Sequence, residues 1–259
     1  MKISAINPFS IINEKNDFSK IYLSFNMNGN ISEGISNLVS FKKPVFIIPN
    51  PNFYWNSDFM IYEKTIKDAI KNSNLHFMDN QVRYLNDEKN NKKYRLIGGV
   101  FWNDFEGLNE ELVTLSLIKS PNFQKIKAHT WLENPENLNK FFEINENLKK
   151  NDIYYKMYKQ YYKVGNFHPI ISYLLFQDNL KFLLSEIKKP FDGETIVLSH
   201  NQPTSYGLYF DGVQINSNSS RINNSLGKIN NIETFLSKKT SLDVFLNNGS
   251  IQHLIHGNT

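Results

Sequence analysis

The residue with the clearest chemical potential lies in Thr195-Ile-Val-Leu-Ser-His200-Asn-Gln-Pro203-Thr204. Ile196, Val197 and Leu198 form a short apolar run that reads as a buried strand. That strand delivers His200 onto a loop closed by Pro203. A neutral imidazole there could ligate a metal or carry a proton; equally, it could do no more than satisfy loop hydrogen bonds at the sheet edge. The end of a buried strand in an α/β sheet is a good place for ligand work. A last strand, His253-Leu-Ile-His256, brings a second histidine to a Gly257-Asn258-Thr259 ending. The sequence has no cysteine, which excludes disulfides, thiolate metal sites and a cysteine nucleophile.

These residues need a sheet to hold them, and the chain alternates strands and helices. Lys2 to Ile6 and Ile21 to Phe25 read as strands. Ile31 to Phe41 carries Ile31, Ile35, Leu38 and Val39 at helical spacing. Pro44-Val-Phe-Ile-Ile48 is a continuous apolar run, as expected of a parallel strand covered on both faces. Asp58 is placed to cap a helix that runs through Ile66 and Ile70 to about Lys71. Leu75 to Met78, Gln81 to Leu85 and Tyr94 to Val100 read as strands, the last two joined by a polar tip from Asn86 to Lys93. Helices are expected over Leu108–Ile118, Pro135–Lys149, Asp152–Tyr162 and Ile170–Ile187. They separate Phe105 from the His200 strand, as a cap or insertion over residues 106–190 would. Gln214 to Asn231 is rich in Asn and Ser and reads as a surface loop, followed by a short helix over Thr240–Leu246. The order argues for a layered α/β domain spanning 1–259.

Composition limits the partners. The chain has 259 residues, 29 basic and 25 acidic, for a net charge of +4. That is too mild to favour a nucleic-acid partner. No apolar run reaches the roughly 18 residues a membrane span needs. Met1 to Ile6 has no signal-like apolar core, so a cytoplasmic location is the default expectation.

Four stretches, in order, resemble the calcineurin-like metallophosphoesterases. Pro44-Val-Phe-Ile-Ile-Pro-Asn50-Pro51-Asn-Phe-Tyr54 is similar to that family's strand and "GNHE-FY" loop. Leu96-Ile-Gly-Gly-Val-Phe-Trp-Asn-Asp-Phe105 is similar to the "GATLWTDF" stretch of one bacterial branch. Ile196 to Thr204 resembles its "VVVTHHAPS", and Leu254-Ile-His-Gly-Asn-Thr259 resembles "WIHGHTH". The resemblance covers almost the whole chain. It implies a four-layer α/β/β/α sandwich with the site at the strand ends.

The departures fall on the family's metal ligands. Where the resemblance implies an Asp and a His on the first loop, this chain has Ala5 and Asn7. Asn26 stands for the metal-bridging Asp. Asn50 is kept, but Pro51 replaces the catalytic His. His200 and His256 are kept, and Asn258 replaces the next His. A two-metal hydrolase needs anionic ligands and a bridging carboxylate to hold two divalent ions. An asparagine offers one neutral carbonyl, and a proline has no proton for a leaving group. Asn50, His200 and His256 therefore remain as crevice residues, with no catalytic residue, metal or cofactor expected. The alternative is a reduced site holding manganese or another divalent ion on those three, in a working phosphoesterase.

Other groups carry bland expectations. Trp102 and Phe105 read as core, and the lysines of Lys89–Arg95 as a solvated hairpin end. Tyr154, Tyr155, Tyr158, Tyr161 and Tyr162 fall at helical spacing, an amphipathic face that a partner could also use. The leading expectation is a degenerate metallophosphoesterase-like protein acting as a binding or scaffold subunit. A protein partner or self-association is expected, with the strand Gln252–His256 near an unpaired or differently covered sheet edge.

Overall fold

The computed structural model describes residues 2–5, 20–24, 31–39, 44–88, 91–200, 209–210, 213–214 and 253–256. It is a mixed α/β structure with two four-stranded sheets. The first sheet is parallel throughout, in the order β1 (Lys2–Ala5), β2 (Lys20–Ser24), β3 (Val45–Ile47), β4 (Leu75–Phe77). Helices α1 (Ile31–Val39) and α2 (Phe59–Ile70) provide crossovers, the connection parallel neighbours require. The second sheet has the order β10 (His253–His256), β7 (Glu194–Ser199), β6 (Lys92–Gly99), β5 (Gln81–Asp87). Only β5 runs antiparallel, as the outer arm of a hairpin. A two-stranded ribbon, β8 (Tyr209–Phe210) with β9 (Val213–Gln214), stands apart from both sheets.

Strand β3 shows why the Pro44–Ile48 run is apolar on both faces. Val45 and Ile47 belong to the core cluster that holds Ile35 and Leu38 of α1 and Ile66 and Ile70 of α2. Phe46 and Ile48 belong instead to a second cluster, with Leu96 of β6 and Ile196 and Leu198 of β7. Alternate side chains of one strand thus fill two different cores. The same alternation holds in the second sheet, where Ile97 and Val197 share the first cluster with Leu183 and Ile187 of α9 (Pro169–Ile187).

Between β6 and β7 the chain is helical: α3 (Phe105–Leu108), α4 (Glu110–Lys119), α5 (Asn122–Lys125), α6 (His129–Leu132), α7 (Pro135–Leu148), α8 (Asp152–Tyr161) and α9. Asparagine starts many of these elements. The side-chain oxygens of Asn109, Asn134 and Asn151 each accept two backbone N–H bonds at the first turns of α4, α7 and α8. Asp58 does the same for α2, as its position in the sequence suggests. The single helix expected over Leu108–Ile118 is found as α4, Glu110–Lys119, with its start two residues later. The chain makes a short α3, turns at Leu108 with φ 64°, and restarts behind the Asn109 cap. The polar tip is also shorter than Asn86–Lys93, because β5 runs on to Asp87 and β6 begins at Lys92. The expected loop over Gln214–Asn231, beyond Gln214 itself, and the helix over Thr240–Leu246 lie outside the described residues. Among the described residues, no helix is long and apolar enough to cross a membrane.

Arg95 corrects the reading of Lys89–Arg95 as a solvated end. Lys92 and Lys93 are exposed, but Arg95 is 3% exposed. Its guanidinium donates to Thr195 Oγ1 at 2.8 Å and to the carbonyls of Glu186 and Lys189 at 2.7 and 2.9 Å. Those carbonyls belong to the C-terminal end of α9, where the last groups lack helical partners and the dipole favours a cation. Trp102 and Phe105 are core, as expected. Trp102 stacks on Tyr54 (5.9 Å between centroids) and packs on Phe167 (4.7 Å), joining the helical segment to the sheets.

Candidate functional site

Parallel register decides which strand ends meet. In the second sheet, Ser199 of β7 lies between Gly99 of β6 and His256 of β10. His200 follows at once and is 6% exposed. The two histidines picked out from the sequence therefore sit at the same end of neighbouring strands. The hydroxyl of Ser199 is buried and finds no hydrogen-bond partner among the described residues. The side chain of His256 lies outside the described residues, so only its backbone position is placed.

In the first sheet, β3 runs out through Ile48 and Pro49 to Asn50. There the backbone is extended (φ −94°, ψ 139°) and caps a 3₁₀ turn, Pro51–Tyr54. The Asn50 side-chain oxygen accepts the backbone N–H of Asn52 at 2.8 Å. One of that oxygen's two lone pairs is thus taken by the turn. Pro51 occupies the first position of that turn, where a missing N–H costs nothing and a fixed φ helps. Both residues have a local structural explanation, independent of any chemistry. Ala5 ends β1, while Asn7, Asn26 and Asn258 lie outside the described residues.

The donor set can be compared with what two divalent ions require. Asn50, His200 and His256 supply one amide and two imidazoles, without an anionic ligand or bridge. They do not fit a pair of divalent ions. Among the described residues, no group of three or more His, Cys, Asp or Glu is placed to hold a metal.

A second cluster, centred on Asp79, was not foreseen from the sequence. Asp79 Oδ1 accepts the backbone N–H of Val100 at 3.1 Å and the amide of Asn179 at 3.2 Å. Asn179, 2% exposed in the middle of α9, also donates to Asn80 Oδ1 at 2.8 Å and accepts from the N–H of Phe101 at 3.1 Å. One polar knot thus joins the end of β4, the end of β6 and α9. Phe101 has φ 51° and Asn80 φ 49°, so both flanking turns use the left-handed region. That conformation is costly for a bulky residue such as phenylalanine. Nearby, Tyr54 donates to Glu63 at 3.0 Å, and Glu63 pairs with Lys67 at 2.9 Å.

Asp79 retains slight exposure, but its carboxyl is enclosed. Burial first, and the Glu63 carboxylate second, push it up to about 7, against the hydrogen bonds from Val100 and Asn179. Burial likewise pushes the Tyr54 hydroxyl well above its usual range. The expected consequence follows from linkage. In the unfolded chain Asp79 loses its proton near pH 4, while in the folded chain it keeps it to about 7. Its contribution to stability is therefore fully present at low pH and lost as pH rises from about 4 to about 7. Asp79→Asn should flatten stability over that window and raise the urea midpoint at pH 8. A variant with an unchanged pH profile would show that Asp79 ionises normally.

The Asp79 knot escaped sequence reading because its partners are about 100 residues apart. The one available signal was an asparagine, Asn179, on a helix otherwise rich in Leu, Ile and Phe. Compared with known proteins, the chain matches no family model, no curated protein and no solved structure.

Proposed function

We propose that the chain is a degenerate metallophosphoesterase-like protein that binds or scaffolds rather than hydrolyses. In this reading the two sheets form the middle layers of a four-layer α/β/β/α sandwich, with the helices between β6 and β7 as a cap. The sharing of Phe46 and Ile48 with Leu96, Ile196 and Leu198 supports that layering. The observation that carries the functional reading is the strand-end register. The backbone of His256 lies level with Ser199, next to His200, as the "HGH" and "THH" motifs would require, and the resemblance sets Ala5, Asn7, Asn26, Pro51 and Asn258 against the family's other ligands and its catalytic His. Among the described residues, what remains at this strand end is a buried Ser199 hydroxyl without a hydrogen-bond partner, beside His200. A protein partner or a second copy is the ligand class this reading favours. β10 ends its sheet among the described residues, which leaves an edge that another chain could meet.

The position of His200 and His256 at the same end of neighbouring strands also favours a second reading: a working phosphoesterase with one divalent ion on Asn50, His200 and His256. Elemental analysis of the purified protein, then a phosphomonoester and phosphodiester screen with manganese, separates the two. The expected result is no stoichiometric metal pair and no turnover above background. Two tightly bound ions per chain, or turnover lost in His200→Ala, would overturn the binding-protein reading.

A further inference from the structure

Strand β5 is the outer arm of its hairpin, and among the described residues no strand lies beyond it. One row of its backbone N–H and C=O groups pairs with β6, and the alternate row faces outward. Folded proteins blunt such an edge with a proline, a bulge or a very short strand. β5 has none of these. Gln81 to Asp87 contains no proline or glycine, and its register with β6 runs unbroken over seven pairs. Tyr84 is 60% exposed, and Arg83 and Asn86 are exposed as well. The guard that remains is charge. Arg83 donates at 3.3 Å to the neighbouring Val82 carbonyl and forms no ion pair among the described residues.

Pairing geometry decides what could answer that charge. Side chains opposed across a sheet share one face, so two copies of β5 related by a two-fold axis pair antiparallel about a residue. A centre at Arg83 or at Asp87 sets like charges opposite each other, which is unfavourable. A centre at Tyr84 sets Arg83 against Leu85, and a centre at Asn86 sets Asp87 against Leu85. A centre at Leu85 sets Arg83 of each copy opposite Asp87 of the other. It also sets Tyr84 opposite Asn86, and Leu85 opposite itself. Leu85 is half-buried and packs on the second core cluster, so this centre carries apolar contact from one core towards the next. Asp87 faces Lys92 across its own hairpin, and a carboxylate accepts from more than one donor. β5 is thus complementary to itself in one register.

We propose that β5 is the contact between two copies of this chain, joined antiparallel about Leu85 so that their second sheets continue into one. The proposal rests on the hairpin and is independent of the metallophosphoesterase reading. Sedimentation of the full chain over a range of concentrations tests it. The wild type should dimerise. Arg83→Asp and Asp87→Arg should each weaken the dimer at least about tenfold, since each turns two attractive pairs into repulsive ones. Mixed one to one, the two variants should dimerise again, because the carboxylates of one chain then face the guanidinium groups of the other. The chain has no cysteine, which allows a test of register that does not depend on the charge variants keeping their fold. Tyr84→Cys and Asn86→Cys are changes at exposed positions. Mixed and oxidised, these two variants should form a disulfide between chains. Neither should bridge to itself, because identical positions then lie beyond disulfide reach. A wild type that stays monomeric up to about 0.1 mM would overturn the proposal. So would a dimer that both charge variants leave intact, or cysteine variants that bridge to themselves as readily as to each other.

Discussion

Replacing Arg95 with alanine should cost about 2–3 kcal/mol of stability, the loss expected when neutral acceptors lose a buried, charged donor. The guanidinium serves three acceptors from two elements: Thr195 on β7, and the carbonyls of Glu186 and Lys189 at the end of α9. Removing it leaves the buried Glu186 carbonyl and Thr195 hydroxyl without their donor, while the Lys189 carbonyl is partly open to water. It also removes the cation over the Phe191 ring, 5.1 Å away. Lysine should recover only part of the loss, because a single ammonium cannot span the positions the planar fork reaches. Thr195→Val should cost much less, since it deletes one acceptor and leaves the charge with its two carbonyls. Urea midpoints at constant slope provide the measurement. If alanine and valine proved equally mild, Arg95 would not be the link between sheet and helix.

Gly98→Ala is the second change with a large expected effect. A methyl group at this position would lie 2.5 Å from Met78 Cβ and 2.6 Å from the Met78 carbonyl oxygen. Met78 continues β4 by donating its N–H to Ile47, so the contact is between the backbones of the two sheets. Neither side is a flexible tip that could swing away. The sheets would have to separate, with loss of packing among Phe46, Leu96 and Leu198. A cost of about 1–3 kcal/mol or more is expected. Gly107→Ala is the matched control: it adds a methyl to open space at φ 76° and should cost only about 1 kcal/mol of backbone strain. If the two variants unfolded at the same midpoint, the close approach of the sheets at Gly98 would not limit stability.

These two sites mark where sequence reading stops. The strands of the cores were legible because their signals are local: five apolar residues at Pro44–Ile48, and Ile196–Leu198 before His200. Helices α7, α8 and α9 were found within a residue or so of their ends, since Asn or His caps and Pro starts bracket them. The order of strands in the second sheet, the burial of Arg95 and the Asp79–Asn179 knot were not legible. Each is decided by partners far along the chain, and nothing about Arg95 among neighbouring lysines distinguishes it from a surface residue. The asparagines Asn50, Asn109, Asn134 and Asn151 each close a helical start. For Asn50 the family resemblance implied a ligand, and the local geometry supplies a cap.

The separation of β6 from β7 has a consequence for the chain while it is being made. Register partners such as Arg95 and Thr195 are 100 residues apart, with seven helices between them. At about 5–20 residues per second, β7 leaves the ribosome several seconds to some twenty seconds after β6. Through that interval the β5–β6 hairpin carries an open inner edge, Leu96 and Ile97 included, while α3 to α9 assemble beside it. Lys92 and Lys93 at the start of that edge, and Gly98 and Gly99 at its end, make it a poor template for a neighbouring nascent chain. The same residues that shape the finished sheet thus guard it during synthesis, and β10, which follows β7 in the chain, is laid on the edge that β7 provides.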